Sequence, residues 1–323
     1  MAFTILLSIA LLCVALFVFN KFRFNMADKL FPHRGNFITV DGVKLHYICE
    51  GTGQPIVFLH GGILSSQDFE EIVKLAAEEG YQAIAFDRPG YGHSDRPQGI
   101  DMNPNDQARM IHAAIKAMGI TKPIILVGHS WSGTMTLSYA LQFPKGVAAL
   151  VTLGAVMYKE GYPAEKPDLL SRIVVTPVLG SMLLHTLLKS PIGKGLAHTT
   201  VTETFKPERV PEGYKEEFYA LAFRPVNFRA NREDVLAFPI TSKKISEKYK
   251  EIKTPLLIMV GGNDPFSTTR EQGQRLMKDI PHAQYKLIPN AGHMMPDIHP
   301  KLVLHHISTF FTEINIKRNN TIE

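Results

Sequence analysis

Short apolar runs that alternate with amphipathic segments constrain the fold of this chain more than any other feature of its sequence. Runs rich in Val, Ile, Leu and Phe predict strands at 36–40, 43–49, 55–60, 81–86, 123–127, 147–153, 255–260 and 284–288. Segments with apolar residues at helical spacing follow most of them, at 66–79, 105–118, 132–143, 268–278 and 299–313. Asp41 and Gly42 separate the first two strands as a hairpin turn. Two opening strands followed by strand–helix alternation predict an α/β fold, with a mostly parallel central sheet and helices on both faces.

Residues 160–250 interrupt this alternation. The segment contains helix-like pieces at 179–189 and 214–223, separated by several prolines and without strand-like runs. It predicts a helical insertion over the carboxyl ends of the strands, where parallel sheets build their sites and where insertions commonly control substrate access. We therefore predict three parts, which are a membrane anchor at 1–24, a core at 25–158 and 251–323, and a helical cap at 159–250.

The stretch 2–19 is apolar and uncharged and contains neither Gly nor Pro. As a helix it would rise about 27 Å, close to the hydrocarbon thickness of a bilayer, about 30 Å. It lacks a positive n-region and a small-x-small cleavage site, which favours an uncleaved transmembrane anchor over a signal peptide. Because Lys21, Arg23, Lys29 and Arg34 all follow the stretch, the positive-inside tendency predicts a single-pass protein with its body on the cytoplasmic side.

Charge and cysteine content argue against several classes of protein. The formal net charge is +5, and Lys243-Lys244 is the longest basic doublet in the body, so no nucleic-acid partner is expected. The two cysteines, Cys13 and Cys49, lie in different environments, and we predict no disulfide between them. Cys and His residues lack the spacing of a metal site, so neither a metal nor a cofactor is predicted.

The segment Gly128-His129-Ser130-Trp131-Ser132 lies between a predicted strand and a predicted helix. A serine on such a turn is forced into a tight bend that lifts its Oγ above the sheet, at the amino end of the next helix. The helix dipole and the free N–H groups at that end favour negative charge. On its own, this motif would be explained equally well by a turn serine without a catalytic role.

A serine hydroxyl needs a base to become a good nucleophile, and the base needs an acid to orient it. His293 follows the strand 284–288, and Asp264 follows the strand 255–260. Both therefore lie on loops at carboxyl ends of strands. A surface histidine and a turn aspartate are the alternatives for these two residues when each is considered alone.

At these residues the chain resembles the α/β-hydrolase family, whose nucleophile elbow is G-x-S-x-G and whose triad runs in the order Ser, Asp, His. The elbow departs from the family pattern because its fifth position is Ser132 and the glycine is delayed to Gly133. The resemblance covers residues 36–156 and 252–315. It implies that Ser130, Asp264 and His293 form the catalytic triad.

The loop His60-Gly61-Gly62 follows the third predicted strand, and glycines there let backbone N–H groups approach a substrate closely. The resemblance implies an oxyanion hole formed by the N–H groups of Gly62 and Trp131. His60 is then expected to be structural and to bond loop backbone, with a second base as the alternative. In the loop 87–94 we expect Asp87 and Arg88 to be architectural, with anion binding as the alternative for Arg88.

The resemblance implies a serine hydrolase that cleaves a small carboxylic ester through an acyl-enzyme. Serine at the nucleophile position argues against the epoxide hydrolase and haloalkane dehalogenase branches, which use aspartate. An anchor together with an apolar cap suggests a lipophilic ester such as a monoacylglycerol, although the apolar cap residues would equally serve to pack the cap onto the core. Those residues are Leu183, Leu184, Leu187, Leu188, Phe218 and Phe223. The alternatives are cofactor-free perhydrolase or haloperoxidase chemistry from the same triad, and a non-catalytic, membrane-tethered ligand receptor.

Overall fold

The computed structural model describes residues 1–62, 65–97, 99–100, 102–162 and 168–320. Within these residues, the central sheet has eight strands in the order β1-β2-β4-β3-β5-β6-β7-β8. The strands are β1 Asn36–Val40, β2 Val43–Glu50, β3 Gln54–Leu59, β4 Tyr81–Phe86, β5 Ile124–His129, β6 Val147–Leu153, β7 Leu256–Gly261 and β8 Gln284–Ile288. The pairs β1–β2 and β2–β4 are antiparallel, whereas the pairs from β4 through β8 are parallel. The predicted α/β fold with a mostly parallel sheet is confirmed.

The central strands are apolar along their whole length because both faces of the sheet are covered. Leu126 of β5 belongs to one buried cluster and the next residue, Val127, belongs to the other. Val57 and Phe58 of β3 divide between the same two clusters. Neighbouring residues of a strand point to opposite faces, so each strand supplies both layers of the core.

Helices cover both faces of this sheet, and further helices form the N-terminal stretch and the insertion. Their bounds are α1 Ala2–Leu30, α2 Glu70–Glu78, α3 Pro104–Ala117, α4 Ser132–Gln142, α5 Leu169–Val174, α6 Pro177–Leu187, α7 Pro191–Phe205, α8 Tyr214–Ala222, α9 Pro225–Ser246, α10 Thr268–Asp279, α11 Met295–Ile298 and α12 Pro300–Asn320. Short 3-10 turns occupy Ser66–Phe69, Pro144–Gly146 and Tyr249–Glu251. The helix predicted over 66–79 therefore begins with a 3-10 turn, whose first turn is capped by the Ser65 side chain.

Helices α5 to α9 lie between β6 and β7, where the sequence predicted a helical insertion. The sequence analysis identified α6 and α8 but missed α5, α7 and α9. It took the prolines of this segment as separators, whereas Pro177, Pro191 and Pro225 occupy the first turns of α6, α7 and α9. Proline suits this position because its missing N–H would have no partner within the helix. The division into anchor, core and cap at 24, 158 and 250 stays a prediction.

The apolar N-terminal stretch is helical and long enough to cross a membrane, although a signal sequence would meet the same test. Helix α1 continues beyond the apolar stretch without a break to Leu30. This continuation brings the basic end of α1 against the helices of the insertion: Asp28 forms an ion pair with Arg224, with 2.6 Å between Asp28 Oδ1 and Arg224 Nη2.

Candidate active site

Ser130 lies on the turn between β5 and α4 and has a positive φ of 51°. Its N–H donates to the Leu153 carbonyl at 3.0 Å, and its own carbonyl accepts from the N–H groups of Gly133 and Val156, each at 3.0 Å. A residue with a side chain rarely adopts this backbone conformation, so the surrounding hydrogen bonds are what hold it. The tight bend predicted from the sequence is therefore present at Ser130.

The departure from the family's elbow pattern has a structural explanation. The hydroxyl of Ser132 donates to the carbonyl of His60 and so links the elbow to the His60-Gly61-Gly62 loop. A Cβ at Gly133 would lie 2.5 Å from the Cβ of Ala155 and would clash with it. The glycine that lets α4 approach β6 is thus Gly133, and Ser132 adds a bond that glycine could not make.

His293 and Asp264 are in direct contact. His293 Nδ1 lies 2.9 Å from Asp264 Oδ2, and both side chains are buried. Asp264 also accepts from Thr269 Oγ1 at 3.0 Å and, through Oδ1, from the Phe266 N–H at 2.9 Å. A carboxylate at Nδ1 fixes the tautomer in which Nδ1 carries the proton, and Nε2 is then the unprotonated nitrogen.

His129 packs behind His293, with 4.8 Å between the two ring centroids. Burial, with a smaller contribution from the neighbouring His293, lowers the pKa of His129 to about 3, so the ring is neutral. Its Nε2 donates to the His293 carbonyl at 3.0 Å. His129 therefore helps to hold the loop that carries the predicted base.

A cavity of about 420 Å³ brings several of the predicted site residues together. Ser130, His293 and Gly62 line it, and Trp131 is buried directly after Ser130. Its opposite walls come from the insertion and are mainly apolar, with Asp168 and Arg232 as charged exceptions. The apolar lining residues from α5 and α7 to α9 are Leu170, Leu196, Val201, Phe205, Phe218, Phe223 and Phe228. Of the apolar residues noted in the sequence, Phe218 and Phe223 line the cavity, whereas Leu184 and Leu188 are buried in the packing between insertion helices.

His60 has the structural role expected from the sequence. Its Nε2 accepts from the Arg88 N–H at 2.9 Å, and its Nδ1 donates to the Gly61 carbonyl at 3.0 Å. Burial and the nearby charge of Arg88 lower the pKa of His60 to about 3. With both ring nitrogens bonded to loop backbone, His60 is not placed to act as a second base.

Arg88 and Asp87 have the architectural role expected of them. The Arg88 guanidinium is fully buried, donates to the carbonyls of His60 and Gly61 at 3.1 and 2.8 Å, and lies 4.1 Å from the Trp131 ring centroid. Asp87 accepts from the Ser66 N–H at 2.7 Å and from the His93 N–H at 2.8 Å.

The partner of the buried Arg88 charge is Asp234 on α9, at 2.8 Å. Asp234 also accepts hydrogen bonds from Tyr91, Arg96 and Gln107. This carboxylate joins the insertion to the loops beneath the proposed oxyanion hole. The sequence analysis missed it, because its partner lies 146 residues away along the chain.

Glu208 was also missed, and it contacts the loop that carries His293. Its Oε1 accepts from the Gly292 N–H at 2.8 Å and from His299 Nε2 at 3.0 Å. Gly292 directly precedes His293. A carboxylate between α7 and α8 therefore fixes the backbone next to the predicted base.

We expect Glu208→Ala to lower kcat of the predicted hydrolase reaction about tenfold with little change in KM, because small displacements of a catalytic group are costly. Glu208→Gln keeps an acceptor oxygen and should retain most of the activity. Steady-state kinetics of both variants provide the check. Equal losses in the two variants would show that the charge, and not the hydrogen bond to Gly292, is what matters.

A second cavity, of about 350 Å³, shares Tyr214 and Phe218 with the first. Asp68 lies in its wall and accepts from the Tyr214 hydroxyl at 2.6 Å. Burial raises the pKa of Asp68 to about 8. The folded chain therefore keeps a proton on Asp68 at pH values where the unfolded chain, with a pKa of about 4, has released it.

Because the folded state binds the extra proton, Asp68 lowers the free energy of unfolding progressively as the pH rises from about 4 to about 8. Asp68→Asn keeps an acceptor for Tyr214 and removes the titration. We expect this variant to match the wild type near pH 4 and to exceed it by about 5 kcal/mol at pH 8, because each of the roughly four pKa units between the folded and unfolded states corresponds to about 1.4 kcal/mol. Denaturant unfolding across this pH range measures the difference. A difference between the two proteins that does not depend on pH would contradict the assignment.

Comparison with known proteins places this fold in a class. A family model described as the α/β-hydrolase fold matches residues 54–173. A cis-3-alkyl-4-alkyloxetan-2-one decarboxylase of Shewanella oneidensis is 28% identical over 89% of this chain and 91% of its own length. A non-heme chloroperoxidase of Kitasatospora aureofaciens is 26% identical over 79% of this chain and 90% of its own length.

Among solved structures, a thermophilic esterase from Thermogutta terrifontis superposes with a TM-score of 0.69 at 19% identity. The match covers 87% of this chain and 99% of the esterase. The chain therefore has the α/β-hydrolase fold. Its relatives include hydrolases, esterases and haloperoxidases.

Proposed function

We propose that this protein is a serine hydrolase that cleaves a carboxylic ester through Ser130, His293 and Asp264. The observation that carries the proposal is the meeting of a strained elbow serine and a buried His–Asp pair at one cavity. In other proteins this combination activates a hydroxyl for attack on a carbonyl. An elbow serine without a base would carry no such implication.

In the proposed reaction, His293 Nε2 takes the Ser130 proton as Oγ attacks the ester carbonyl. The N–H groups of Gly62 and Trp131 stabilise the oxyanion, and Asp264 stabilises the imidazolium. The protonated His293 then donates to the leaving alcohol. A water molecule, deprotonated by the same imidazole, releases the acid and restores Ser130.

The walls of the cavity favour a lipophilic ester. Aromatic and aliphatic side chains of the insertion face Ser130 across a space of about 420 Å³, which suits an alkyl or acyl chain. The Shewanella relative is named for a dialkyl oxetan-2-one, which is itself a cyclic ester that carries alkyl chains. We therefore propose a lipophilic substrate such as a monoacylglycerol, with α1 as a single-pass anchor that holds the body at the cytoplasmic face of the membrane.

The direct test is reaction of the full chain with a fluorophosphonate probe, followed by hydrolysis of p-nitrophenyl esters with acyl chains of increasing length. Covalent labelling together with a preference for medium or long chains is expected. A folded chain that neither labels nor hydrolyses any ester would contradict the proposal and would favour a ligand receptor on this scaffold.

A second candidate, perhydrolase or haloperoxidase chemistry, is favoured by the chloroperoxidase relative. The same triad would pass the acyl group to hydrogen peroxide instead of water. Halogenation of monochlorodimedone in acetate, bromide and peroxide measures this activity. A rate well above that of ester hydrolysis would make this the principal reaction.

A further inference from the structure

We propose that the outer face of α5 to α7 lies against a lipid bilayer, and that the substrate cavity opens at this face. The substrate part of the proposal rests on the proposed ester hydrolase function, whereas the contact itself rests on exposed side chains. The cap face, as we name it, consists of Leu170, Val178, Leu179, Met182, Ile192 and Leu196.

The cap face is unusually apolar for a solvent-exposed surface. Val178 is 80% exposed and Ile192 is 74% exposed. Met182 stands four residues after Val178 on α6, as Leu196 does after Ile192 on α7, so each helix presents an apolar stripe. Exposed apolar patches of this kind mark sites of interaction with another apolar surface.

These side chains are not needed to hold the cap helices together. The inward-facing residues are buried in one cluster. They are Val174 of α5, Leu184 of α6, Leu188 directly after α6, and Ala197 and Val201 of α7. The helices therefore have a complete apolar contact on their inner sides. The cap face is a second apolar surface on their outer sides.

Helix α1 identifies a bilayer as the surface that covers the cap face. Asn20 of α1 is fully buried, its Nδ2 donates to the Thr186 carbonyl at 2.7 Å, and its Oδ1 accepts from the Lys189 N–H at 2.6 Å. The Phe17 ring lies 5.8 Å from the His185 ring. These contacts fasten α1 to the carboxyl end of α6, and so to the helix that carries half of the cap face.

Most of the apolar side chains that the structure describes on α1 before Asn20 are exposed, among them Phe3 at 77% and Leu6 at 66%. A helix that is apolar on all sides requires an apolar environment, and here the length of the helix suits a membrane. The bilayer that receives α1 is then adjacent to α6. Exposed Arg172 and Lys194 accompany the cap face and carry the charge that suits anionic lipid headgroups.

The entrance of the substrate cavity is part of the same surface. Leu170 and Leu196 both line the 420 Å³ cavity, and they are 49% and 46% exposed. At these two side chains the cavity comes close to the outer surface, and we place the entrance there. A lipophilic ester would therefore pass from the acyl region of the bilayer towards Ser130 without its apolar chain crossing water.

Bilayer contact is measured without any enzyme assay by placing a tryptophan on the cap face. The variant Met182→Trp is made in the full chain and reconstituted into vesicles of phosphatidylcholine and an anionic lipid. Its tryptophan fluorescence should be roughly twofold lower when the phosphatidylcholine is brominated than when it is not, because an inserted side chain reaches the acyl region, where the bromine atoms quench it. The matched control is Met277→Trp. Met277 is also exposed, but it lies on α10, which is outside the insertion. The natural Trp131 is the only tryptophan of the chain and is buried, so it gives a constant background.

Quenching of Met182→Trp but not of Met277→Trp is the expected result. No quenching of Met182→Trp beyond that of the wild type would overturn the proposal and would leave a protein partner as the occupant of the cap face. Equal quenching of the two variants would also overturn it, since contact would then not be specific to this face.

The role of the cap face in substrate delivery is tested with Val178→Asn, Met182→Asn and Ile192→Asn combined, because none of these side chains lines the substrate cavity. We expect about a tenfold lower kcat/KM on a monoacylglycerol presented in vesicles, and an unchanged kcat/KM on a soluble short-chain p-nitrophenyl ester. An equal loss on both substrates, or no loss on either, would overturn the delivery role. If the wild type hydrolyses neither substrate, the proposed hydrolase function fails, and the quenching experiment still decides whether the cap face contacts lipid.

Discussion

Replacing Ser130 with alanine is expected to lower kcat for ester hydrolysis about 10⁴- to 10⁶-fold, with little change in KM. The change removes only the oxygen that attacks the carbonyl. The cavity walls and the His293–Asp264 pair remain, so substrate should still bind. Fluorophosphonate labelling should disappear together with hydrolysis, because both require the same nucleophile. Kinetics with a p-nitrophenyl ester and labelling detected by mass spectrometry provide the two measurements.

The matched control is Ser132→Ala, since it makes the same chemical change two residues away in the same turn. The Ser132 hydroxyl donates to the His60 carbonyl and is buried, so its loss should cost about 1–3 kcal/mol of stability. It should reduce activity far less than Ser130→Ala and should leave labelling intact. Retention of more than about 1% of wild-type activity by Ser130→Ala would exclude Ser130 as the nucleophile, as would loss of labelling only in Ser132→Ala.

Most of the parallel part of the sheet was predictable because its inner strands are buried on both faces and therefore consist of continuous apolar runs. Every residue of β6 is buried, and the predicted bounds 147–153 match those of the strand. The convergence of candidate site residues follows from the same topology. Carboxyl ends of parallel strands meet at one edge, which brings the loop after β8 to the turn after β5. Ser130 and His293 line one cavity for this reason.

The helices of the insertion were harder to predict because proline has opposite meanings at the two ends of a helix. Pro191 was interpreted as a break, but it starts a helix that runs to Phe205. Pro239 even lies inside α9, where sequence rules expect a helix to end or bend. Packing of an apolar face against the core can outweigh such local preferences.

Polar and charged residues that join distant segments leave no signal in the sequence. Glu208 contacts the backbone of Gly292 across 84 residues, and no spacing or motif announces the contact. Asn20 is a single polar residue at the end of an apolar stretch, where it would be taken for a residue at the membrane edge. Its buried hydrogen bonds to the end of α6 appear only when the helices are placed together.

The second large effect is expected for Asp264→Asn, which should lower kcat about 10⁴-fold although the two side chains have the same shape. Asp264 Oδ1 accepts from the Phe266 N–H, so the amide oxygen of asparagine should occupy this position. The NH₂ group then faces His293 Nδ1, in the place of Oδ2. Thr269 Oγ1 can accept from this NH₂ group because it also donates to the Phe266 carbonyl, at 2.9 Å.

An NH₂ group at this position donates to His293 Nδ1 and therefore selects the tautomer that carries its proton on Nε2. In that form the imidazole has no lone pair to receive the Ser130 proton, and it also loses the carboxylate that stabilises its charged form. KM should change little, since Asp264 does not line the cavity. The control is Asp279→Asn, which alters a carboxylate bonded to Tyr158 outside the site and should keep wild-type kinetics. A loss of less than about tenfold in Asp264→Asn would mean that another residue orients His293, and the triad assignment would then be wrong.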